Sequence, residues 1–144
     1  MKITQTNKIV LIIIAIIFGS MIGKLSVGSP APKALSLDKL LMQTASEINK
    51  NCPFMVDKNI RADNATALLD NTIQYNYTVI NYIKEEVDIN QLKSNISLHL
   101  LNGIKTNPNL KIFRDNKVTM IYEYKDKVGV FLFSLKYKYD DYKK

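Results

Sequence analysis

The N-terminal part of the chain carries one long apolar run. Ile9–Phe18 contains no polar side chain, and no charged residue follows Lys8 until Lys24. With Lys24 snorkelling toward the surface, residues 9–27 reach the lower limit of a membrane span and exceed an ordinary signal-peptide core. Small residues in the spacing that signal cleavage requires are poorly placed after the run. The pattern therefore predicts an uncleaved signal anchor, a transmembrane segment at residues 1–27.

The residues that flank this run predict its orientation. Lys2 and Lys8 lie in a short tail before it, which favours a cytoplasmic N-terminus and a domain on the extracytoplasmic, periplasmic side. Residues 28–35 hold two prolines and are typical of a linker. The alternative is a cleaved signal, which would leave the domain as an exported soluble protein.

Residues 36–144 show the mixed periodicity of one soluble α+β domain. Apolar residues at helical spacing predict a helix between Ser36 and Asn51, and a second helix that Asp88 caps. Period-two alternation predicts strands, whereas residues 54–63 are expected to be irregular; the predicted strands are 65–69, 72–83, 110–114, 118–125 and 130–139. Asp-Asn pairs at 70–71 and 115–116 favour hairpin turns. The order α-β-β-α-β-β-β then predicts an antiparallel sheet with both helices on one face.

Charge adds one constraint on partners. The net charge is +7, but Lys2, Lys8 and Lys24 flank the apolar run, and the remaining excess is on the scale that solubility requires. This argues against a nucleic-acid partner. The excess is concentrated in residues 105–144, which hold ten basic and five acidic side chains. That third of the chain is either a solvated sheet face with charged edges or a surface for an acidic partner.

Eight tyrosines and no tryptophan make the aromatic content unusual. Two Tyr-x-Tyr pairs lie on predicted strands, where alternation places each pair on one face: Tyr75, Tyr77, Tyr122 and Tyr124. The pattern allows a buried core face with hydroxyl groups at its rim, or an exposed aromatic surface that binds a partner.

The sequence shows no catalytic or metal-binding set of residues. Cys52 is the only cysteine and His99 the only histidine, so neither a zinc site nor a nucleophile–base pair can be assembled with conviction. We expect His99 to be half-buried beside the helix stripe. No glycine-rich phosphate loop is present, and no small-molecule cofactor is expected. The densest polar stretch, residues 57–64, offers a low-specificity site at Asp57, Arg61 and Asp63, or a solvated loop.

Several short motifs resemble a family of small exported or membrane-anchored bacterial proteins. The resemblance covers roughly residues 45–135, and the stretches that carry it are Cys52-Pro53, Val56-Asp57, residues 61–64, residues 75–78 and residues 113–116. The family has no established activity, so the resemblance implies a compartment and a fold and assigns no catalytic residue. Residues 136–139 depart from the family's usual ending.

Two functional hypotheses remain. The first is a non-enzymatic protein, held at the membrane by residues 9–27, that binds another envelope protein or assists an envelope assembly. The second is a cleaved, exported domain that binds or hydrolyses a ligand near residues 57–64. The absence of a recognisable site together with an anchor and a linker favours the first.

The anchor hypothesis predicts how the protein fractionates. If residues 9–27 stay in the membrane, the protein should remain in the pellet after a carbonate wash, and its N-terminal peptide should begin at or next to Met1. Mass spectrometry of the mature N-terminus checks this. A chain that begins at Ser29 and washes into the supernatant would establish cleavage instead.

Overall fold

A computed structural model describes residues 36–143 of the chain. The predicted membrane segment of residues 9–27 and the linker of residues 28–35 lie outside this range. Within residues 36–143, no helix combines the length and the apolar character that crossing a bilayer demands.

The domain is α+β, with helices and a five-stranded mixed sheet. Two short 3₁₀ turns, Lys84–Glu86 and Pro108–Leu110, flank the second helix. Along the chain the other elements are α1 (Leu37–Asn49), β1 (Phe54–Met55), β2 (Ile60–Leu68), β3 (Thr72–Val79), α2 (Ile89–Thr106), α3 (Lys111–Asp115), β4 (Thr119–Asp126), β5 (Phe131–Tyr137) and α4 (Tyr139–Tyr142).

The strands lie in the sheet in their chain order, β1-β2-β3-β4-β5. The pairs β1–β2, β2–β3 and β4–β5 are antiparallel, but β3 and β4 are parallel. The prediction of an all-antiparallel sheet was therefore wrong. A parallel neighbour requires a crossover that returns the chain to the same end of the sheet, and α2 provides it.

This correction has a local cause at residues 110–114, which were predicted as a strand. They form the end of a 3₁₀ turn and most of α3 instead. Leu110 and Phe113, three residues apart, are buried, while Ile112 is exposed. Over five residues, a helical and an alternating pattern cannot be separated. Without a strand there, the predicted hairpin at 115–116 does not exist.

Arg114 ties α3 to the end of α2. Its guanidinium Nη1 donates to the carbonyl oxygens of Ile104 (2.7 Å) and Asn107 (2.8 Å). The last carbonyl groups of a helix lack partners within the helix, and a cation placed there also interacts favourably with the helix dipole. The arginine thereby holds α3 against the end of α2, shortly before β4 begins.

One further boundary differs from the prediction. Residues 54–63, expected to be irregular, contain β1 and the first part of β2.

Other predicted elements are confirmed. The hairpin turn at Asp70 and Asn71 is present, with φ angles of 57° and 52° that both residue types tolerate. Both long helices are confirmed, and Asp88 Oδ1 caps α2 by accepting from the N–H of Gln91 at 3.0 Å.

One core lies between the helices and one face of the sheet. Its central members come from α1, α2 and the inward-facing strand positions: Leu41, Ala45, Ile48, Ile96, Leu100, Ile104, Ala62, Ala65, Ile73, Met120, Phe133 and Leu135. The opposite face is polar and at least partly exposed at Thr66, Gln74, Asn76, Glu123, Ser134 and Lys136. Alternation along the strands therefore separates a dry face from a wet one.

The α1 stripe can be tested with two neighbouring substitutions. Leu41 is only 1% exposed, so Leu41→Ala should leave a cavity and lower the free energy of unfolding by about 2–5 kcal/mol. Lys39 is exposed on the same helix, and Lys39→Ala should change it by less than about 0.5 kcal/mol. Denaturant unfolding of a fragment of residues 29–144 measures both, and equal losses would contradict this packing of α1.

Candidate interaction surfaces

The four tyrosines named above meet across the parallel pair of strands. In the β3–β4 register Tyr75 lies beside Tyr122, and Tyr77 lies beside Tyr124. The rings stack, with centroids 5.2 Å apart in the first pair and 5.0 Å apart in the second. Parallel pairing brings like positions of two Tyr-x-Tyr strands side by side, which accounts for the stacking.

All four side chains belong to the core. None is more than 5% exposed, so this face is buried and is not an exposed aromatic surface. The hydroxyl groups of Tyr75, Tyr77 and Tyr124 are buried as well and do not reach the rim of the core. Burial raises the pKa of each phenol above its ordinary value of about 10, so the hydroxyl groups stay protonated at neutral pH. These tyrosines fix the core and offer little to an external partner.

Asp57, Arg61 and Asp63 do not form one site. Asp57 Oδ1 accepts from the N–H groups of Asn59 (2.6 Å) and Ile60 (3.0 Å), and so shapes the turn between β1 and β2. Arg61 Nε donates to Asp63 Oδ1 at 2.6 Å. The structure thus pairs Arg61 with Asp63, while Asp57 serves the turn.

Asp63 is the centre of a small polar cluster on the wet face of the sheet. Its Oδ2 accepts from Thr78 Oγ1 at 2.6 Å and lies 3.5 Å from Lys125 Nζ. The carboxylate side chain is only 10% exposed, and its charge is balanced by Arg61 and Lys125. Through these charge-assisted contacts Asp63 links its own strand β2 to β3 and β4. Within residues 36–143, no group of three His, Cys, Asp or Glu side chains could hold a metal ion.

Asp126 is a structural residue that the sequence analysis did not single out. Its carboxylate accepts three backbone N–H groups, with Oδ2 bonded to Lys84 (2.9 Å) and Oδ1 bonded to Val128 (3.0 Å) and Val130 (2.8 Å). Desolvation opposes ionisation of this buried group, but the backbone donors outweigh it and hold its pKa below the usual range. An aspartate three residues before Gly129 was the available signal for such a turn.

The two edges of the sheet differ. At the β2 edge, β1 pairs with Arg61 and Ala62. Next along that edge, the Asn49 side-chain amide takes the place of a strand, donating to the Ala65 carbonyl (2.8 Å) and accepting from its N–H (2.7 Å). At the other edge, β5 pairs only with β4 among the described residues. The β2 edge is therefore covered against pairing with another strand, whereas the β5 edge is open.

An apolar tip adjoins the open edge. Val128, Val130 and Phe131 lie at the β4–β5 turn and are 68%, 44% and 52% exposed. The Asp126 carboxylate accepts from the N–H groups of Val128 and Val130, so the turn that presents these side chains is fixed by hydrogen bonds. Contiguous exposed apolar side chains of this kind mark interaction sites more often than isolated ones.

Solved structures with the same fold include a protein described as secreted and two pilotins of type II secretion systems. A Pseudomonas aeruginosa protein described as secreted has a TM-score of 0.61 at 14% identity, covering 78% of this chain and 98% of that chain. The type II secretion system pilotin AspS from Vibrio cholerae has a TM-score of 0.56 at 12% identity, over 73% and 91% of the two chains. The type 2 secretion system pilotin EpsS from Vibrio vulnificus has a TM-score of 0.60 at 7% identity, over 75% and 93%. At such identities the likeness establishes the fold.

The family is established by sequence. Residues 36–133 match the family model described as domain of unknown function DUF8479, and the chain belongs to that family. This confirms the resemblance to an uncharacterised family. No curated protein matches the chain.

The Asp126 turn generates a pH-dependent prediction. A carboxylate whose folded pKa is depressed stabilises the fold above its unfolded pKa of about 4, and that contribution is lost as the pH falls through the lower folded value. Asp126→Asn replaces one acceptor oxygen with a donor that faces backbone N–H groups. The fragment of residues 29–144 should therefore unfold at lower denaturant at pH 7, and the gap to the unsubstituted fragment should narrow below pH 4.

The matched control is Asp115→Asn. Asp115 is exposed at the end of α3 and pairs with Lys111 on the same helix, so its loss should be near neutral. A gap for Asp126→Asn that stays constant from pH 7 to pH 3 would show that the carboxylate's charge plays no part in holding the turn.

Proposed function

We propose that this protein is a non-enzymatic accessory of an envelope assembly, whose domain binds another envelope protein on the extracytoplasmic side of a membrane. The proposal includes the N-terminal segment: residues 9–27 hold the protein at the membrane, with the N-terminus in the cytoplasm and residues 36–144 outside. Residues 28–35 then act as the spacer between the membrane and the domain.

The observation that carries the proposal is the fold. The likeness to the two pilotins extends over more than nine-tenths of each of those chains and over about three-quarters of this one. Fold alone does not define function, because one fold hosts many activities. The choice of a binding role therefore rests also on what the described side chains do.

Three carboxylates of the domain have structural partners. Asp57 and Asp126 accept backbone N–H groups in turns, and Asp63 joins three strands. His99, expected to be half-buried, is exposed on α2 instead. A general base needs a nucleophile or a substrate position within hydrogen-bond reach, and the described contacts provide His99 with neither. This distribution favours recognition over catalysis.

The surface supports a binding role more directly. The wet sheet face is already internally bonded: Gln74 donates to Asn76 (2.8 Å), and Asn76 donates to Asn64 (2.6 Å). The outer edge of β5 has no strand partner within residues 36–143, and the tip beside it exposes three apolar side chains. Partner-binding surfaces combine an apolar centre with a polar, solvent-accessible rim.

Crosslinking in intact cells tests the proposal. The tagged full chain, crosslinked and then purified from detergent-solubilised membranes, should bring down one protein in stoichiometric amount. A protein that carries residues 1–35 in front of an unrelated domain is the control, because it reports partners held by the membrane segment alone. Repeated recovery of the chain without a partner, or the same partner with the control, would contradict a binding role for the domain.

A further inference from the structure

We propose that the β5 edge accepts an extended acidic segment of the partner protein, which adds to the sheet as a sixth strand. This inference rests on the proposed binding function and specifies its site and chemistry. Strand addition at a free sheet edge is a recurring mode of peptide recognition, in which the backbone gives affinity and side chains give specificity.

The two edges of the sheet are covered to different extents. The β2 edge is protected by β1 and by the Asn49 amide, whereas β5 has no such cover among residues 36–143. A strand at an edge presents a row of N–H and C=O groups toward the outside, which another strand can satisfy. Phe131–Tyr137 gives seven residues of edge, about 20 Å, which is an ordinary strand length.

The apolar tip, formed by Val128, Val130 and Phe131, offers an anchor at one end of this edge. It stands at the start of β5, where an added strand would end, and its side chains are exposed. The Asp126 turn fixes this tip before any partner arrives. A fixed anchor reduces the conformational entropy that binding has to overcome.

The charge near β5 is basic at two exposed lysines. Lys127 stands beside the tip and Lys136 near the far end of β5, and both are exposed. Neither lies within ion-pair distance of a carboxylate in the described part of the chain, although Lys125 pairs with Asp63 and Lys143 with Asp140. Lys127 lies in the β4–β5 turn, where its N–H donates to the Tyr82 carbonyl, and Lys136 lies within β5. Unpaired cations near both ends of β5 favour an acidic segment, since complementary charge selects and orients the partner.

The same lysines disfavour other occupants. A second copy would bring its own basic edge against this one, and lysines on edge strands discourage such pairing. An anionic lipid surface could take up the apolar tip and Lys127. It would not use Lys136, five residues along the strand from Phe131 and so about 16 Å away. The extent of the open edge therefore favours a polypeptide.

Backbone hydrogen exchange with a synthetic probe tests the inference. The full chain is held in phosphatidylcholine nanodiscs and mixed with a peptide of about nine residues that alternates valine or threonine with glutamate. Bound peptide should slow exchange of alternate amides within residues 131–137 by about tenfold. Added salt should weaken the effect.

Two peptides methylated on alternate backbone nitrogens identify the binding mode. An added strand turns every second N–H toward its neighbour. One methylated peptide should therefore lose binding while the other retains it. Equal behaviour of the two peptides would overturn strand addition even if the unmodified peptide binds.

Charge variants identify the role of the lysines. Lys127→Glu with Lys136→Glu should raise the peptide's dissociation constant by about tenfold. Lys39→Glu, a reversal on the exposed side of α1, should leave it unchanged. Equal weakening by both would indicate a general charge effect and overturn the assignment to this edge.

The remaining outcomes name the competing occupants. Protection of residues 128–131 that needs phosphatidylglycerol in the nanodisc and no peptide would indicate a lipid contact. Protection of β5 that rises with protein concentration alone would indicate a second copy. No protection, or protection elsewhere, overturns the inference; if a stoichiometric cellular partner is still found, the proposed binding function stands with its site on another surface.

Discussion

The parallel pairing of β3 with β4 is the interaction on which this fold depends. It sets Tyr75 against Tyr122 and Tyr77 against Tyr124, and these stacked rings form the middle of the core. Aromatic stacking adds to the burial of large apolar areas. The pairing also obliges the chain to cross from one end of the sheet to the other between the two strands. The crossover helix α2 then lies over the same face as α1.

Tyrosine in place of other large residues has a consequence at the margins of the core. Tyr137 OH donates to the Ser97 carbonyl at 2.9 Å, which joins β5 to α2. Tyr142 OH donates to the Val118 carbonyl at 2.7 Å, which holds the C-terminal α4 against the start of β4. A phenylalanine would fill the same space but would leave these carbonyl groups without that bond. The hydrogen bonds of these two phenols thus specify how β5 and α4 are placed, which non-directional hydrophobic burial alone does not.

The sequence predicted the elements whose signals are carried by neighbouring residues of the chain. The stripe of α1, the capped start of α2 and the Asp70-Asn71 hairpin follow from residues close together in the chain. Residues 110–114 were too few to distinguish a helix from a strand, and this one error changed the direction of β4 relative to β3. Strand direction depends on a crossover of many residues, so it is decided by tertiary packing that local patterns do not carry.

The candidate surface was harder to foresee than the fold for the same reason. The basic character of residues 105–144 was visible in the sequence, but not which of their lysines flank an open edge. That depends on β5 being last in the sheet, which follows from α2 returning the chain for β4 to pair with β3.

An exposed edge beside an apolar tip is an aggregation hazard that proteins ordinarily limit with charges, short strands or a covering segment. This domain uses all three devices, but divides them. The β2 edge receives the two-residue β1 and the Asn49 amide, while β5 retains seven residues and carries Lys136 as its one charged side chain. Lysines repel a second basic edge without obstructing an acidic strand. The asymmetry therefore suppresses self-association while it leaves one edge available to a partner of opposite charge.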